Sequence, residues 1–139
     1  MLRMLVPVDG SENSDRAVKW LIRKTSLYAE PLDIHLLNVQ HSFRGMIRGL
    51  HREAQQVHRK DALKALASAR KLFDDAGVRY AYHIGVGDPA HVIAQYAKEK
   101  KVKQIVMGTR GLGAIAGLLL GSVTMKVISL TDKPVLLVK

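Results

Sequence analysis

Short apolar runs alternate with longer amphipathic ones from one end of the chain to the other. Strand-like runs fall at residues 2–8, 33–39, 78–84, 102–107 and 135–138, and helix-like stretches at about 14–29, 51–76, 89–100 and 123–130 separate them. A connection that contains a helix carries the chain back along the sheet, so the next strand enters parallel to the one before. The pattern predicts an α/β fold: a single doubly wound sheet of five parallel strands with helices on both faces. At 139 residues the chain has room for one such domain, spanning 1–139, large enough to bury a core without covalent or metal staples.

The helical stretches carry apolar stripes at helical spacing. In the first, Val18, Leu21, Ile22 and Thr25 recur at i, i+3, i+4 and i+7; in the second, Ala62, Leu66, Ala69, Phe73 and Ala76 do the same. Asp88 followed by Pro89 has the form of an N-cap and a first-turn proline, and Gly77 stands where a glycine would end the second helix. Residues 42–49 hold two glycines and three apolar side chains with no period, which predicts a loop after the second strand.

Composition excludes several chemistries. There is no cysteine, so disulfides, thiolate metal sites and thiol catalysis are absent, and a reducing cytoplasm is the expected location. The apolar run at residues 114–120 is broken by Gly117 and falls far short of the roughly 18 to 20 residues needed to cross a bilayer. A soluble, unprocessed protein without membrane association is expected. The formal charge of +10 arises from 22 Lys and Arg against 12 Asp and Glu, and attracts anions in general. It is spread over two regions, with Arg44, Arg48, Arg52, Arg59 and Lys60 in one and Lys98, Lys100, Lys101 and Lys103 in the other. No aromatic residues interleave them for base stacking, which disfavours nucleic acid as a partner. The six histidines form no recognisable ligand set. His51 and His58, two helical turns and about 10 Å apart, cannot share a metal whose bonds are near 2 Å.

The fourth strand runs into Gly108 and Gly111, and Gly121, Ser122, Val123 and Thr124 stand at the start of the last helix, giving G-x2-G-x9-G-S-x-T. Glycines let backbone N–H groups approach an anion, and a helix beginning near Ser122 would aim its unpaired N–H groups at it. The segment is neither of the common phosphate loops. Pro7-Val8-Asp9-Gly10-Ser11 occupies the place of a dinucleotide fingerprint, and no G-x-x-x-x-G-K-[ST] occurs.

With this motif go Leu5-Val6-Pro7-Val8-Asp9-Gly10-Ser11, Leu36-Leu37-Asn38-Val39, Gly87-Asp88-Pro89 and Pro134-Val135-Leu136-Leu137-Val138. Together these segments resemble the universal stress protein family, specifically its ATP-binding branch, over nearly the whole chain. The resemblance implies strand order 3-2-1-4-5, with ligand bound beyond the strand ends at the switch point between the first and fourth strands. It also implies ATP, or AMP or ADP, as the ligand, with Mg²⁺ or Mn²⁺ carried by the phosphates. Asp9 then accepts a hydrogen bond at the base or ribose end, with Pro7 and Val8 lining the pocket; its alternative role is that of a turn or cap residue. Val39 and Met107 either touch the purine or belong to the core. Gly108, Gly111, Gly121, Ser122, Val123 and Thr124 hold the phosphates, although Ser122 could also N-cap the last helix. Arg110 either covers the phosphates or faces water. Thr109 replaces the serine usual in the family and keeps its hydroxyl.

The resemblance further implies a homodimer paired through Val135, Leu136, Leu137 and Val138, and a stress-response role in which a nucleotide-dependent homodimeric switch is read by a regulatory protein partner. A slow ATPase or nucleotide-transferring enzyme is the second reading, and a basic nucleic-acid-associated module the third. Residues 108–124 contain no Asp, Glu, His or Gln to orient a water, so no catalytic residues are assigned and turnover is expected to be absent or very slow. The apolar stretch with Leu112, Ile115 and Leu118-Leu119-Leu120 could be partner surface or core.

Overall fold

The computed structural model describes residues 1–41, 51–109 and 120–139, with side chains described for all of these except 51–57. In chain order the elements are β1 (Leu2–Pro7), α1 (Glu12–Lys24), a single 3₁₀ turn (Thr25–Leu27), β2 (Leu32–Gln40), α2 (His51–Asp75), β3 (Ala81–Val86), α3 (Pro89–Glu99), β4 (Gln104–Gly108), α4 (Ser122–Leu130) and β5 (Val135–Val138). The strands form one five-stranded sheet, ordered β3-β2-β1-β4-β5, and every pairing is parallel. The expected fold and strand order are both present.

Element ends moved where hydrogen bonding outside the apolar pattern set them. The first helix starts at Glu12, because the Ser11 side chain caps it by accepting from the Ser14 N–H. It stops at Lys24 and tightens into the 3₁₀ turn, where the Thr25 hydroxyl donates to the Ile22 carbonyl. The third strand starts at Ala81 rather than near residue 78. Val78 is consumed in closing α2: its N–H donates to the Phe73 carbonyl at 3.0 Å while Gly77 turns at φ +67°. The fourth strand starts at Gln104 for the same reason, since the Val102 N–H caps α3 at the Ala97 carbonyl and Lys101 takes the left-handed position at φ 53°. That position is normally given to glycine, so sequence offered no warning of it.

The sheet is buried on both faces. Met4 and Val6 of β1 point to one side, with Ile34 and Leu36, against Val18 and Leu21 of α1 and Leu66 and Phe73 of α2. Leu5 points to the other, with Leu37, Ile105 and Met107, against Ile93 and Ala97 of α3 and Val127 of α4. This period-2 division is why the sequence from Met4 to Val8 reads as an unbroken apolar run. Each fully buried aliphatic side chain contributes about 1.5–3 kcal/mol. Ala76, placed on the second helix's apolar stripe by spacing, is exposed because α2 ends at Asp75.

Candidate functional site

β1 and β4 are neighbours in the sheet, but the chain leaves β1 toward β2 on one side and reaches β4 from the other. Loops at their C-terminal ends diverge, which opens a crevice there. It measures about 400 Å³, within the range of small-molecule sites. Pro7, Val8 and Asp9 border it from β1, Val39 from β2, Met107 and Gly108 from β4, and Gly121, Val123 and Thr124 from the start of α4. Ser122 is exposed and does not border it. Arg110 and Gly111 lie outside the described residues, as do most of the apolar connector and the loop at 42–49.

Asp9 lies two residues past the end of β1. Its Oδ1 accepts from the Ser11 N–H at 3.0 Å, from the Ser11 hydroxyl and from the Ser14 hydroxyl at 3.2 Å. Burial pushes its pKa up, but the bonds from Ser11 and Ser14 outweigh this and hold the carboxyl below its usual value. Asp9 is therefore a turn residue, organising the entry to α1, and also an ionised carboxylate at the crevice edge. The turn reading left open by sequence is the one these bonds show.

Gly108 has a reason beyond access to a ligand. A Cβ there would stand 2.2 Å from the Asn13 carbonyl oxygen and 2.7 Å from Asn13 Oδ1. The first turn of α1 lies directly against the end of β4, and the Asn13 side chain donates to the Gly108 carbonyl at 3.2 Å. Met107 is buried and packs in the core while also bordering the crevice, and Val39, half-buried at the end of β2, packs against the same core cluster.

At the start of α4, Gly121 and not Ser122 is the N-cap, and no side chain caps this helix end. A glycine cap leaves the first-turn N–H groups without a side-chain acceptor, which is the condition for an anion to serve as the cap. The Ser122 hydroxyl is consequently free of the capping role that sequence allowed it. The Thr124 hydroxyl is engaged: it donates to the Gly108 carbonyl at 3.4 Å and ties α4 to β4.

Sequence reasoning missed Asn38, Gln40, His41, Asn13 and Ile93, all of which border the crevice. Asn38 matters most. It is 3% exposed, its Nδ2 donates to the Val8 carbonyl at 2.8 Å, and its Oδ1 accepts from Gln40 Nε2 at 2.6 Å. β1 has ended by Val8, so this amide supplies the partner that a strand would otherwise have given to the carbonyl just before Asp9. A polar residue inside Leu36-Leu37-Asn38-Val39 was the available signal, because a buried amide must be satisfied. Among the described residues no group of three His, Cys, Asp or Glu could hold a metal ion.

A parallel sheet with helices on both faces and a crevice beyond its strand ends, between an acidic turn and a glycine-capped helix start, is the doubly wound α/β architecture, in which ligands bind at the switch point. Residues 1–139 match the family model described as the universal stress protein family, and the chain belongs to that family. The universal stress protein YxiE of Bacillus subtilis is 31% identical over 147 residues, covering 99% of this chain and 98% of its own. The solved structure of protein MJ0577, described as a structure-based assignment of biochemical function, superposes with a TM-score of 0.76 at 31% identity over 99% of this chain and 94% of that one; MJ0577 is a universal stress protein of Methanocaldococcus jannaschii. A universal stress protein solved in complex with cAMP is 25% identical, with a TM-score of 0.72, covering 99% of this chain and 97% of that one. Among the described residues no helix is long and apolar enough to cross a membrane.

Proposed function

We propose that this chain is an ATP-binding stress-response protein whose nucleotide-dependent homodimer is read by a regulatory partner. The observation that carries the reading is the meeting of three features at one crevice: the Asp9 carboxylate, the close backbone at Gly108 and the uncapped start of α4 at Gly121. The cAMP complex of a structural neighbour supports an adenine nucleotide as the ligand class.

A carboxylate repels phosphate, so the nucleoside lies at the Asp9 end among Pro7, Val8, Val39 and Met107, and the phosphates lie toward Gly108 and the start of α4 at Gly121 to Thr124. Hydrogen bonds to a charged group contribute about 1.5 to 3 kcal/mol each; the backbone N–H groups at the start of α4 are the donors at the crevice, with Thr124 reserved for Gly108, and the exposed Ser122 hydroxyl serves phosphates that extend beyond it. Mg²⁺ or Mn²⁺ would arrive bound to the phosphates, since no carboxylate lies in residues 108–124, and the same lack makes binding without rapid hydrolysis the expected behaviour.

Homodimer formation is assigned to β5, which occupies one edge of the sheet. Its Val135, Leu136 and Leu137 remain partly exposed while Val138 is buried. An apolar edge strand pairs with another chain unless it is covered. Sedimentation at micromolar concentration, with and without ATP, reads this directly, and a monomer in both conditions removes the dimer from the proposal.

The nucleotide is tested by thermal shift. ATP at about a hundred times its dissociation constant stabilises by about 2.7 kcal/mol, several degrees for this chain. Gly121→Val abolishes the shift and Ser122→Ala weakens it. Gly121 sits at φ −58°, a backbone conformation that valine can adopt, but it is buried, so the loss reads blocked approach when the variant melts like wild type without ATP. Equal shifts in wild type and Gly121→Val refute the cradle.

A further inference from the structure

Away from the crevice, five polar side chains form a chain of bonds across β1, β2, β3 and α3. Arg3 Nε donates to Asp33 Oδ2 at 2.7 Å, and its Nη1 donates to the Lys100 carbonyl at 2.7 Å. Asp33 Oδ1 lies 3.0 Å from His35 Nε2, and His35 Nδ1 lies 2.8 Å from His83 Nε2. The Tyr96 hydroxyl of α3 approaches His35 Nδ1 at 3.3 Å, with its ring 5.2 Å from that of His83. The His35 side chain is 14% exposed.

The geometry of the two imidazoles fixes what can sit between them. Their centroids are 5.0 Å apart with planes within 10°, so across a 2.8 Å nitrogen contact the rings lie end to end and their lone pairs point along one line. A metal ion on that line would need the nitrogens about 4 Å apart. One proton fits. With Asp33 ionised and both rings neutral, His35 donates to Asp33 through Nε2 and accepts from His83 Nε2–H. With one added proton, His35 donates to both neighbours and His83 accepts. In either state the contact between the two rings and the contact to Asp33 each keep one donor and one acceptor. A second proton places N–H against N–H and two cations side by side.

We propose that Asp33, His35 and His83 form a proton-binding site that accepts one added proton and rejects a second, so that acidification releases β3 and α3 from β2. Facing this pair are Asp33 from β2, Arg3 from β1, Tyr96 from α3 and Lys100 just past its end, and the two cations among them oppose the second charge. Burial, His35 and Lys100 hold the His83 pKa below its ordinary value. The folded protein thus takes up that proton at lower pH than the unfolded chain does. The stability owed to neutral His83 is complete above about pH 6.5, the unfolded value, and is lost as pH falls toward the folded one. His83 lies on β3, an edge strand, which lets it separate without tearing the sheet centre. Its release reaches the crevice through Gly87, whose N–H donates to the Gln40 carbonyl, and through Pro89 and Ile93 of α3. That last link rests on the nucleotide reading; the proton site itself does not.

The test is an imidazole ¹⁵N NMR titration of the full wild-type chain from pH 8 to 4.5 without nucleotide, paired with amide hydrogen exchange of β3 corrected for intrinsic rate. The first proton moves the resonances of both rings together. The second enters more than about one unit lower and raises β3 exchange at least tenfold. In His83→Asn the two-step behaviour is lost and the acid-driven rise in β3 exchange disappears. Two independent one-site curves in the wild type, or β3 exchange indifferent to the second step, overturn the proposal, and the wild-type titration decides even if the variant fails to fold.

Discussion

Replacing Gly108 with alanine should damage the fold before it damages any ligand contact. The added Cβ would meet the Asn13 carbonyl oxygen at 2.2 Å, its carbonyl carbon at 2.8 Å and its Oδ1 at 2.7 Å, where ordinary contact needs about 3.5 Å. Two of those atoms are backbone, so no rotamer change relieves the overlap. Neither side yields easily. Gly108 pairs with Val138 in the sheet, and Asn13 lies in the first turn of a helix that buries Ala17, Val18 and Leu21 completely. Relief requires moving α1 by roughly 1 Å, at the upper end of overpacking costs, about 3 kcal/mol. For this chain length that is about 10 °C in melting temperature. Gly77→Ala is the contrast. A Cβ there meets nothing within 4 Å but sits at φ +67°, a conformational strain of about 1 kcal/mol and a few degrees. Circular dichroism melts of both variants without nucleotide measure the difference. If Gly108→Ala melts as close to wild type as Gly77→Ala does, the contact between β4 and α1 is not the constraint argued here.

Asn38→Leu keeps the bulk of the side chain but leaves the Val8 carbonyl and the Gln40 amide without their partner, so it should destabilise by about 1–3 kcal/mol and lower the urea midpoint; an unchanged midpoint would mean that water replaces the amide at no cost. Asp88 caps α3, and its pKa is lowered to about 2 chiefly by its hydrogen bonds with the side chain and backbone of His91, with Lys126 assisting. Because the folded value is depressed, the stabilisation is present above about pH 3.9, the unfolded value, and is lost as pH falls through about 2. Asp88→Ala should accordingly flatten the acid limb of stability between those values, and a wild-type slope in the variant would contradict it.

The candidate site was half legible. Gly108, Gly121 and Asp9 announce themselves by type and spacing, because glycine and carboxylate have few uses at strand ends. Asn38 was readable in principle as a polar residue in an apolar strand. Asn13 was not: on a helix it looks like any first-turn residue, and only the packing of α1 on β4 shows that it dictates a glycine 95 positions away. Ser122 and Thr124 carry equivalent hydroxyls, yet one is exposed and the other bonded to Gly108, which follows from the phase of α4 and the identity of its cap.

Sequence by itself determined the succession of strands and helices, because periodicity records which faces are apolar, and the motifs pointed to the family. Tertiary structure decided everything that depends on pairs remote in the chain. Helix ends, by contrast, were set by short-range closures that the apolar pattern does not record, Val78 at Phe73 and Val102 at Ala97. His35 and His83, separated by 48 positions, carry no shared pattern and meet only because β2 and β3 pair with Leu37 beside His83. Local chemistry is written along the chain, whereas register and crossing choose which distant groups must share a proton, a carbonyl or a gap too narrow for a methyl.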